Sequence, residues 1–211
     1  MNALLSTTYF GPVQWYQKLY RADDVQIEAC ESFQKQTYRN RCLIATTQGV
    51  QALTVPVERS VPRTSYLVPR ISDIRISDHG NWRHLHWNAL KSAYGESPFF
   101  EYYEDDLRPF FLPDWEFLFD FNEAIRQKMC ELLDIQPRVS PTTQFLPPAA
   151  VASHPTLHDF RDAIQPKHPA PDPHFTPRPY YQVYRQKHGF LPNLSILDLL
   201  MNMGPESVFY L

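Results

Sequence analysis

The chain has 211 residues, which is long enough to bury one substantial core, so we expect a single domain. Hydrophobic residues are 43% of the chain and aromatic residues 14%, a composition that excludes a disordered protein. The net charge is -3 and no run of Lys or Arg occurs, so nothing in the sequence favours binding to nucleic acid or to an anionic membrane.

The sequence shows neither a targeting signal nor a close pair of cysteines. The N-terminus has no basic region followed by a long apolar one, and no apolar run approaches ~18 residues. We therefore expect a cytoplasmic protein. Cys30, Cys42 and Cys130 include no close pair, so the sequence predicts buried free thiols rather than disulfides or a Cys-rich zinc site.

The first predicted unit is a strand, a helix and a second strand. Residues 3–8 are typical of a short strand that leads to Gly11-Pro12. An apolar stripe at helical spacing follows, and Pro12 suits the first helical position because its missing N–H costs nothing there. Residues 25–27 then alternate as a strand does.

Two further β-rich regions follow along the chain. Residues 38–57 are typical of a hairpin that turns near Gly49. Residues 71–76 alternate cleanly, which predicts another strand with Ile74 and Ile76 on one face.

The middle of the chain is predicted to be helical. Residues 82–94 form one helix, whose apolar side combines Trp82, Leu85, Ala89, Leu90 and Ala93. A longer amphipathic helix covers residues 115–133, with Asp114 as its N-cap.

Composition changes after residue 135. Many of the 20 prolines lie between residues 137 and 179, and such a segment cannot form a continuous helix or a central strand. We expect an extended arm or loop there, followed by a strand over 180–184 and an apolar helix over 195–203. The predicted fold is α/β: a single Rossmann-like domain with a mixed sheet, flanking helices and a hairpin. Its core is 1–136, its arm 137–179, and 180–211 docks on the core.

The chain resembles the WbqC-like protein family. The resemblance runs through YFGPVQWYQKL, FQKQTYRNRCLI and LTVPV, the spaced Trp82, His86 and Tyr94, a Pro98-Phe99-Phe100 step, and GFLPNLSILDLL near the C-terminus. It covers nearly all of the chain except the Pro-rich arm. It implies a connection with bacterial surface-polysaccharide loci, and it implies no common reaction.

The opening of the chain departs from this family's usual pattern. Many members open with His-Gln-Pro, whereas gapless placement puts Leu5, Ser6 and Thr7 at these positions, and Pro12 replaces a Trp. No role of the missing His is therefore carried over to this chain.

The turn after the first strand is one candidate site. Thr7, Thr8 and Gly11 precede a helix whose free N–H groups and positive end favour an acyl, phosphate or carboxylate group. The alternative is a structural turn with a satisfied cap, which the lack of a Gly-rich phosphate signature favours.

The segment FQKQTYRNR is a second candidate. If residues 38–44 form a strand, Arg39 and Arg41 share one face, and two guanidinium groups suit a carboxylate or phosphate. Lys35 adds a third positive group, and Asn40 is suited to orienting a sugar hydroxyl. The alternative is a solvated edge strand protected by its charges.

The remaining motifs favour structural roles. His84 and His86 are two residues apart on a helix, so they cannot close a metal chelate, and we expect no metal site. His86 either hydrogen-bonds within the core or lines a cleft. The acidic residues 101–106 suit a helix start, and Ser195 with Asp198 resembles a capping box.

These observations lead to a group-transfer enzyme that modifies a small activated metabolite, a nucleotide-linked or amino sugar for surface-glycan assembly. The predicted ligand is small and anionic or sugar-like, no cofactor is implied, no residue qualifies as a nucleophile, and homo-oligomerisation is left open. The predicted binding residues are Thr8, Gly11, Lys35, Arg39, Asn40, Arg41, Trp82, His86 and Tyr94. The rival hypothesis is a non-catalytic binding or scaffold protein that uses the Pro-rich arm and aromatic surface.

Overall fold

The computed structural model describes residues 1–58 and 69–211. In chain order its strands and helices are β1 (Asn2–Ser6), α1 (Val13–Arg21), β2 (Asp24–Glu28), β3 (Arg41–Thr46), β4 (Gly49–Thr54), α2 (Trp82–Tyr94), α3 (Phe100–Leu107), α4 (Leu118–Leu132), β5 (Val139–Pro141), α5 (Pro148–Ala152), β6 (Leu157–Asp159), α6 (Arg185–His188) and α7 (Ile196–Met203). Short 3₁₀ turns cover Ile71–Asp73, His79–Asn81, Arg108–Phe111 and Gly204–Tyr210.

A four-stranded parallel sheet forms the centre of the protein, in the order β5-β2-β1-β6. Leu4 and Leu5 point to opposite faces of β1, and both are fully buried. Burial on both faces is what a parallel sheet covered by other elements requires. The predicted strand–helix–strand unit is confirmed as β1-α1-β2.

The hairpin predicted near Gly49 is confirmed as β3 and β4, which pair antiparallel from Arg41↔Thr54 to Thr46↔Gly49. It forms a sheet of its own rather than joining the parallel one. The α/β class is therefore confirmed, whereas the expected mixed sheet is wrong for the part of the chain that the structure describes. The closer likeness to a Rossmann fold stays a prediction.

Two strands of the sheet come from the Pro-rich segment. β5 and β6 are only three residues long each, and they form the two edges of the sheet. Pro141 ends β5, as expected for a residue without an N–H donor at an edge. Residues 139–141 and 157–159 of the Pro-rich segment are therefore part of the sheet, whereas the predicted limits of the core, the arm and the C-terminal region stay predictions.

Three local predictions were wrong. Residues 71–73 form a 3₁₀ turn instead of a strand, although Ile71, Ile74 and Ile76 are all buried as the pattern required. Residues 180–184 contain no strand. The long helix α4 begins at Leu118, with Phe117 rather than Asp114 at its N-cap.

Helix α2 has the predicted bounds, and its buried side carries Trp82, Trp87, Leu90 and Ala93. Leu85 is an exception, because 59% of it is exposed. No helix among the described residues is long and apolar enough to cross a membrane.

Candidate functional site

A large cavity lies where the chain changes direction in the sheet. From β1 the chain moves outward through β2 to β5, and then returns to the other side of β1 as β6. Ligands of open α/β sheets bind at such a switch point, outside the carboxyl ends of the strands. A cavity of about 510 Å3 lies there and is lined by Cys30, Glu31, Ser32, Gln34, Arg39, Arg70, Phe145, Pro148, Asp159, Arg161 and Asp162. We call this cavity the crevice.

Arg39 is a buried arginine of the crevice, held by a carboxylate from the segment after β2. Its Nε donates to Glu31 Oε1 at 2.8 Å and its Nη2 to Glu31 Oε2 at 2.5 Å. Nη2 also donates to Ser6 Oγ at the end of β1, at 2.8 Å. The remaining nitrogen, Nη1, has no hydrogen-bond partner among the described residues, so a ligand can accept from it.

Arg161 is a second buried arginine, and it follows β6. It makes a two-pronged contact with Asp159, Nε to Oδ1 at 2.9 Å and Nη2 to Oδ2 at 2.6 Å, and its Nη1 lies 3.3 Å from Glu28 Oε2. Burial lowers the pKa of Arg161, but these carboxylates outweigh burial and raise it above its ordinary value. The guanidinium is thus fixed in place as a cation.

Glu28 lies beneath the crevice and is fully buried. Its carboxylate accepts from the hydroxyl of Thr142 at 2.6 Å, from the backbone N–H of Cys30 at 2.9 Å and from that of Leu146 at 3.0 Å. It therefore joins the ends of β2 and β5 to Arg161. Such a network stabilises the site only while every partner is present.

The charges of this network do not cancel. Two guanidiniums, Arg39 and Arg161, face three carboxylates, Glu28, Glu31 and Asp159. Closer to solvent, Arg70 adds a guanidinium that has no ion-pair partner in the described part of the chain, and Asp162 adds another carboxylate. The crevice wall thus presents groups of both signs to a ligand.

A much smaller cavity adjoins the crevice. Its volume is about 10 Å3, and its lining consists of Leu5, Ser6, Thr7, Thr8, Trp15, Tyr38, Arg39, Phe160, Arg161 and Ile164. Thr7 is fully buried and Thr8 is 4% exposed, yet neither side-chain oxygen has a hydrogen-bond partner among the residues that the structure describes. We call this space the threonine pocket.

The turn between β1 and α1, which we call the opening turn, is hydrogen-bonded to the C-terminal part of the protein. The N–H of Val13 donates to the carbonyl of Leu194 at 3.0 Å, and that of Gln14 to Asn193 Oδ1, also at 3.0 Å. Since these first N–H groups of α1 already have acceptors, the expectation that they bind an anion is wrong. Pro12 is at the N-cap rather than the first helical position.

Gly11 has a steric role in the same turn. A Cβ atom at this position would lie 2.4 Å from Thr8 Oγ1 and 3.0 Å from Thr8 Cβ. Glycine is therefore the residue that lets Thr8 keep its position in the threonine pocket.

The basic segment contributes only Arg39 to the crevice. Arg39 lies in the turn before β3, whereas Arg41 begins the strand and donates to Thr54 Oγ1 at 3.0 Å, so the two do not form the expected pair on one strand face. Lys35 is exposed and does not line the crevice. Asn40 is buried and donates to the Val55 carbonyl at 2.8 Å, which is a structural contact.

Trp82, His86 and Tyr94, which were predicted to bind the ligand, lie in the core instead of on a cleft wall. His86 Nδ1 is 2.9 Å from the hydroxyl of Tyr9, and the ring packs against Trp82 at 5.1 Å between centroids. Burial lowers the pKa of His86 to about 4, so its ring is neutral at pH 7. Tyr94 is buried and donates to Asp198 at 2.9 Å.

Ser195 is the N-cap of α7, as predicted, and its Oγ accepts from the N–H of Leu197 at 3.3 Å. Asp198 does not complete a capping box. Its buried carboxylate accepts instead from Tyr94, from Tyr180 at 2.6 Å and from Gln182 at 2.7 Å. Burial raises the pKa of Asp198 and these hydrogen bonds oppose the rise.

Most residues of the crevice and its network were not predicted from the sequence. Glu28 ends β2 and Glu31 follows it, and this position at the end of a parallel strand was the one available signal. Asp159 ends a three-residue strand within the Pro-rich segment and Arg161 follows it, where no periodicity marks them. Cys30 lines the crevice and is only half-buried, unlike Cys42 and Cys130. No group of metal-ligating side chains occurs among residues 1–58 and 69–211.

Comparisons with known proteins agree with the resemblance seen in the sequence. A model described as the WbqC-like protein family matches residues 7–159 and 172–210. The chain is 28% identical over 221 residues to the "Uncharacterized protein Rv1507c" of Mycobacterium tuberculosis (strain ATCC 25618 / H37Rv), covering 96% of this chain and 91% of that protein. No solved structure matches. The match includes the arginine–glutamate pair of the crevice and β5 and β6, while Arg161 and Asp162 lie outside the matched ranges.

Proposed function

We propose, from the premise that this chain belongs to the WbqC-like protein family, that it is a group-transfer enzyme acting on a small activated metabolite. The substrate class is a nucleotide-linked sugar or an amino sugar. The setting, surface-polysaccharide assembly in the cytoplasm, is proposed from the family resemblance alone. The crevice is the proposed site.

The observation that carries the proposal is the crevice at the switch point of the sheet. Its volume of about 510 Å3 lies within the range of roughly 300–1,000 Å3 that small-molecule sites occupy. Its lining combines Asp159, the last residue of β6, with the segment after β2 and with Arg39, and ion pairs hold the side chains of Arg39 and Arg161. A site of this kind is suited to holding a ligand in one orientation.

The charges of the crevice favour a polar ligand that carries both signs. Arg70 and the unengaged Nη1 of Arg39 are donors for a phosphate, which guanidinium groups bind well. Asp162 is the matching acceptor: Oδ1 accepts from Gln165 Nε2 at 3.0 Å, and Oδ2 has no partner among the described residues. A sugar phosphate with amino or hydroxyl groups meets both requirements.

Group transfer to such a ligand needs a proton acceptor. As the bond between the transferred group and the phosphate or nucleoside diphosphate of the donor breaks, a new bond forms between that group and an amine nitrogen or hydroxyl oxygen of the acceptor. The leaving group departs with the bonding electron pair as an anion, and the proton released from the acceptor atom must be removed. We assign this role to Asp162, because both oxygens of Asp159 are engaged by Arg161. Arg39 and Arg70 then hold the anionic part of the donor.

Ligand-dependent thermal stabilisation tests the proposal. Nucleotide-linked sugars and sugar phosphates should raise the Tm of the wild type, and Arg70→Ala should reduce the ligand affinity at least tenfold without lowering the Tm of the free protein. Arg185→Ala is the matched control, since Arg185 is equally exposed and lies outside the crevice. Arg41→Ala should keep the ligand response as well.

The rival hypothesis of a non-catalytic binding or scaffold protein makes a different prediction. A panel of nucleotide sugars, sugar phosphates and amino sugars would then leave the Tm of the wild type unchanged. That result would refute the enzyme proposal. A ligand response that survives Arg70→Ala unchanged would place the ligand outside the crevice and refute the assignment of the site.

A further inference from the structure

We propose that the threonine pocket binds a single negatively charged oxygen atom of a ligand whose remaining atoms lie in the crevice. The inference rests on the proposed function for the identity of the ligand, but not for the existence of the pocket. It assigns Thr7 and Thr8 as ligand-binding residues and places an oxyanion at the end of β1.

The unpartnered hydroxyls are the first reason. Thr7 and Thr8 are at least nine-tenths buried, and neither Oγ1 has a hydrogen-bond partner in the part of the chain that the structure describes. Buried hydroxyls almost always have a partner, because an unsatisfied one loses its hydration without replacement. Both residues line one small cavity, so we infer that something outside the protein chain accepts from their hydroxyls.

The size of the pocket limits what that acceptor is. A cavity of about 10 Å3 is close to the smallest space that holds one water molecule. It accommodates one oxygen atom and excludes a whole phosphate or sugar ring. A water molecule in the free protein, replaced by one ligand oxygen in the complex, fits these dimensions.

The surrounding charge decides between an anion and a cation. Arg39 and Arg161 line both the threonine pocket and the crevice. Glu28, Glu31 and Asp159, which pair with these guanidiniums, do not line the threonine pocket. A ligand ammonium group in the pocket would therefore meet two guanidiniums and none of these carboxylates, whereas a charged oxygen accepts from hydroxyls beside guanidinium groups, as in other sites that stabilise oxyanions.

The pocket is also built to keep its geometry. Gly11 leaves room for the hydroxyl of Thr8, because a Cβ atom at position 11 would lie 2.4 Å from Thr8 Oγ1. Arg39 is confined by Glu31 and Ser6 through three hydrogen bonds of 2.5–2.8 Å. Donors held in this way need little rearrangement when the oxygen arrives.

The experiment replaces each threonine with valine, which keeps the branched shape of the side chain and puts a methyl group in place of the hydroxyl. Binding of inorganic phosphate is measured by thermal shift and calorimetry for the wild type, Thr7→Val, Thr8→Val and the exposed control Thr156→Val. We expect the wild type and the control to bind phosphate. Each of the other two variants should bind it at least tenfold more weakly, while its Tm in phosphate-free buffer stays equal to or above that of the wild type.

Several outcomes would overturn the inference. A wild type that does not bind phosphate would do so, and so would valine variants that bind it as tightly as the wild type. A lower Tm of these variants in phosphate-free buffer, with an unchanged phosphate affinity, would mean that the hydroxyls hold a structural water. Thr7→Ser and Thr8→Ser keep the hydroxyl, so they should retain phosphate binding; loss of binding in them would also count against the inference.

The same measurements separate this inference from the proposed function. If nucleotide sugars and sugar phosphates fail to bind while phosphate binding depends on the threonine hydroxyls, the pocket stands and the proposed substrate class falls. If these ligands bind in an Arg70-dependent way and the valine variants have no effect, the proposed substrate class stands and the threonine-pocket inference falls.

Discussion

Lowering the pH from 7 to 5 should destabilise this protein through His86. The side chain is 6% exposed and lies between Tyr9 and Trp82, with a further hydrogen bond to the backbone of Thr54. No carboxylate among residues 1–58 and 69–211 pairs with the ring. Protonation of the ring in the folded state therefore adds a buried, unpaired charge.

The size of the effect follows from the pKa of His86, which burial lowers from 6.5 to about 4. Between these two values the unfolded chain binds a proton and the folded chain does not, so the free energy of unfolding rises with pH across this window. Stability is complete above pH 6.5 and is lost as the pH falls towards 4. Between pH 7 and pH 5 the loss amounts to about 2 kcal/mol.

Urea denaturation at the two pH values measures this loss. Because other groups titrate as well, the informative quantity is the change in unfolding free energy between pH 7 and pH 5, compared between variants. His86→Gln should reduce that change by about 2 kcal/mol relative to the wild type. His84→Gln, an exposed histidine on the same helix, should leave it unaltered. Equal pH dependence in the wild type and His86→Gln would refute the reasoning.

Two further substitutions test contacts that hold the opening turn and α1. Ser195→Ala removes the cap of α7 and the hydroxyl that donates to the Phe10 carbonyl at 2.7 Å. Urea denaturation should therefore show that the free energy of unfolding falls by about 2 kcal/mol. A fall below ~0.5 kcal/mol would contradict both roles. Lys18→Met removes the ion-pair partner of Asp172, which lies 2.6 Å away; the two side chains are 1% and 4% exposed. The free energy of unfolding should fall by about 3–5 kcal/mol in the same assay. An unchanged denaturation midpoint would mean that the pair has no structural role.

The elements that the sequence predicts well are those whose pattern is local. The apolar stripe after Pro12, the turn at Gly49 and the helix over 82–94 are each set by periodicity within one stretch of chain. The boundary of α4 was less accurate, because Asp114 is a good N-cap by type while the helix begins only where Phe117 and Leu118 meet the core.

The edges of the sheet could not be predicted in this way. β5 and β6 have three residues each, too few for an alternating pattern, and they lie among prolines that argue against strands. They form because β1 and β2 already present unpaired edges, a tertiary effect with no local signal. Since Asp159 and Arg161 depend on β6, most of the crevice was beyond prediction for the same reason.

At the opening turn, the reason for predicting Thr8 as a binding residue is wrong, although Thr8 lines the threonine pocket. The prediction rests on its position before a helix, whose N-terminal N–H groups attract anions in general. In the folded protein those N–H groups donate to the Leu194 carbonyl and to Asn193 Oδ1, so they are not available to a ligand. Thr7 and Thr8 line the pocket shared with Arg39 and Arg161, and their side-chain oxygens have no hydrogen-bond partner among the described residues. Any anion recognition at this turn must therefore come from side chains.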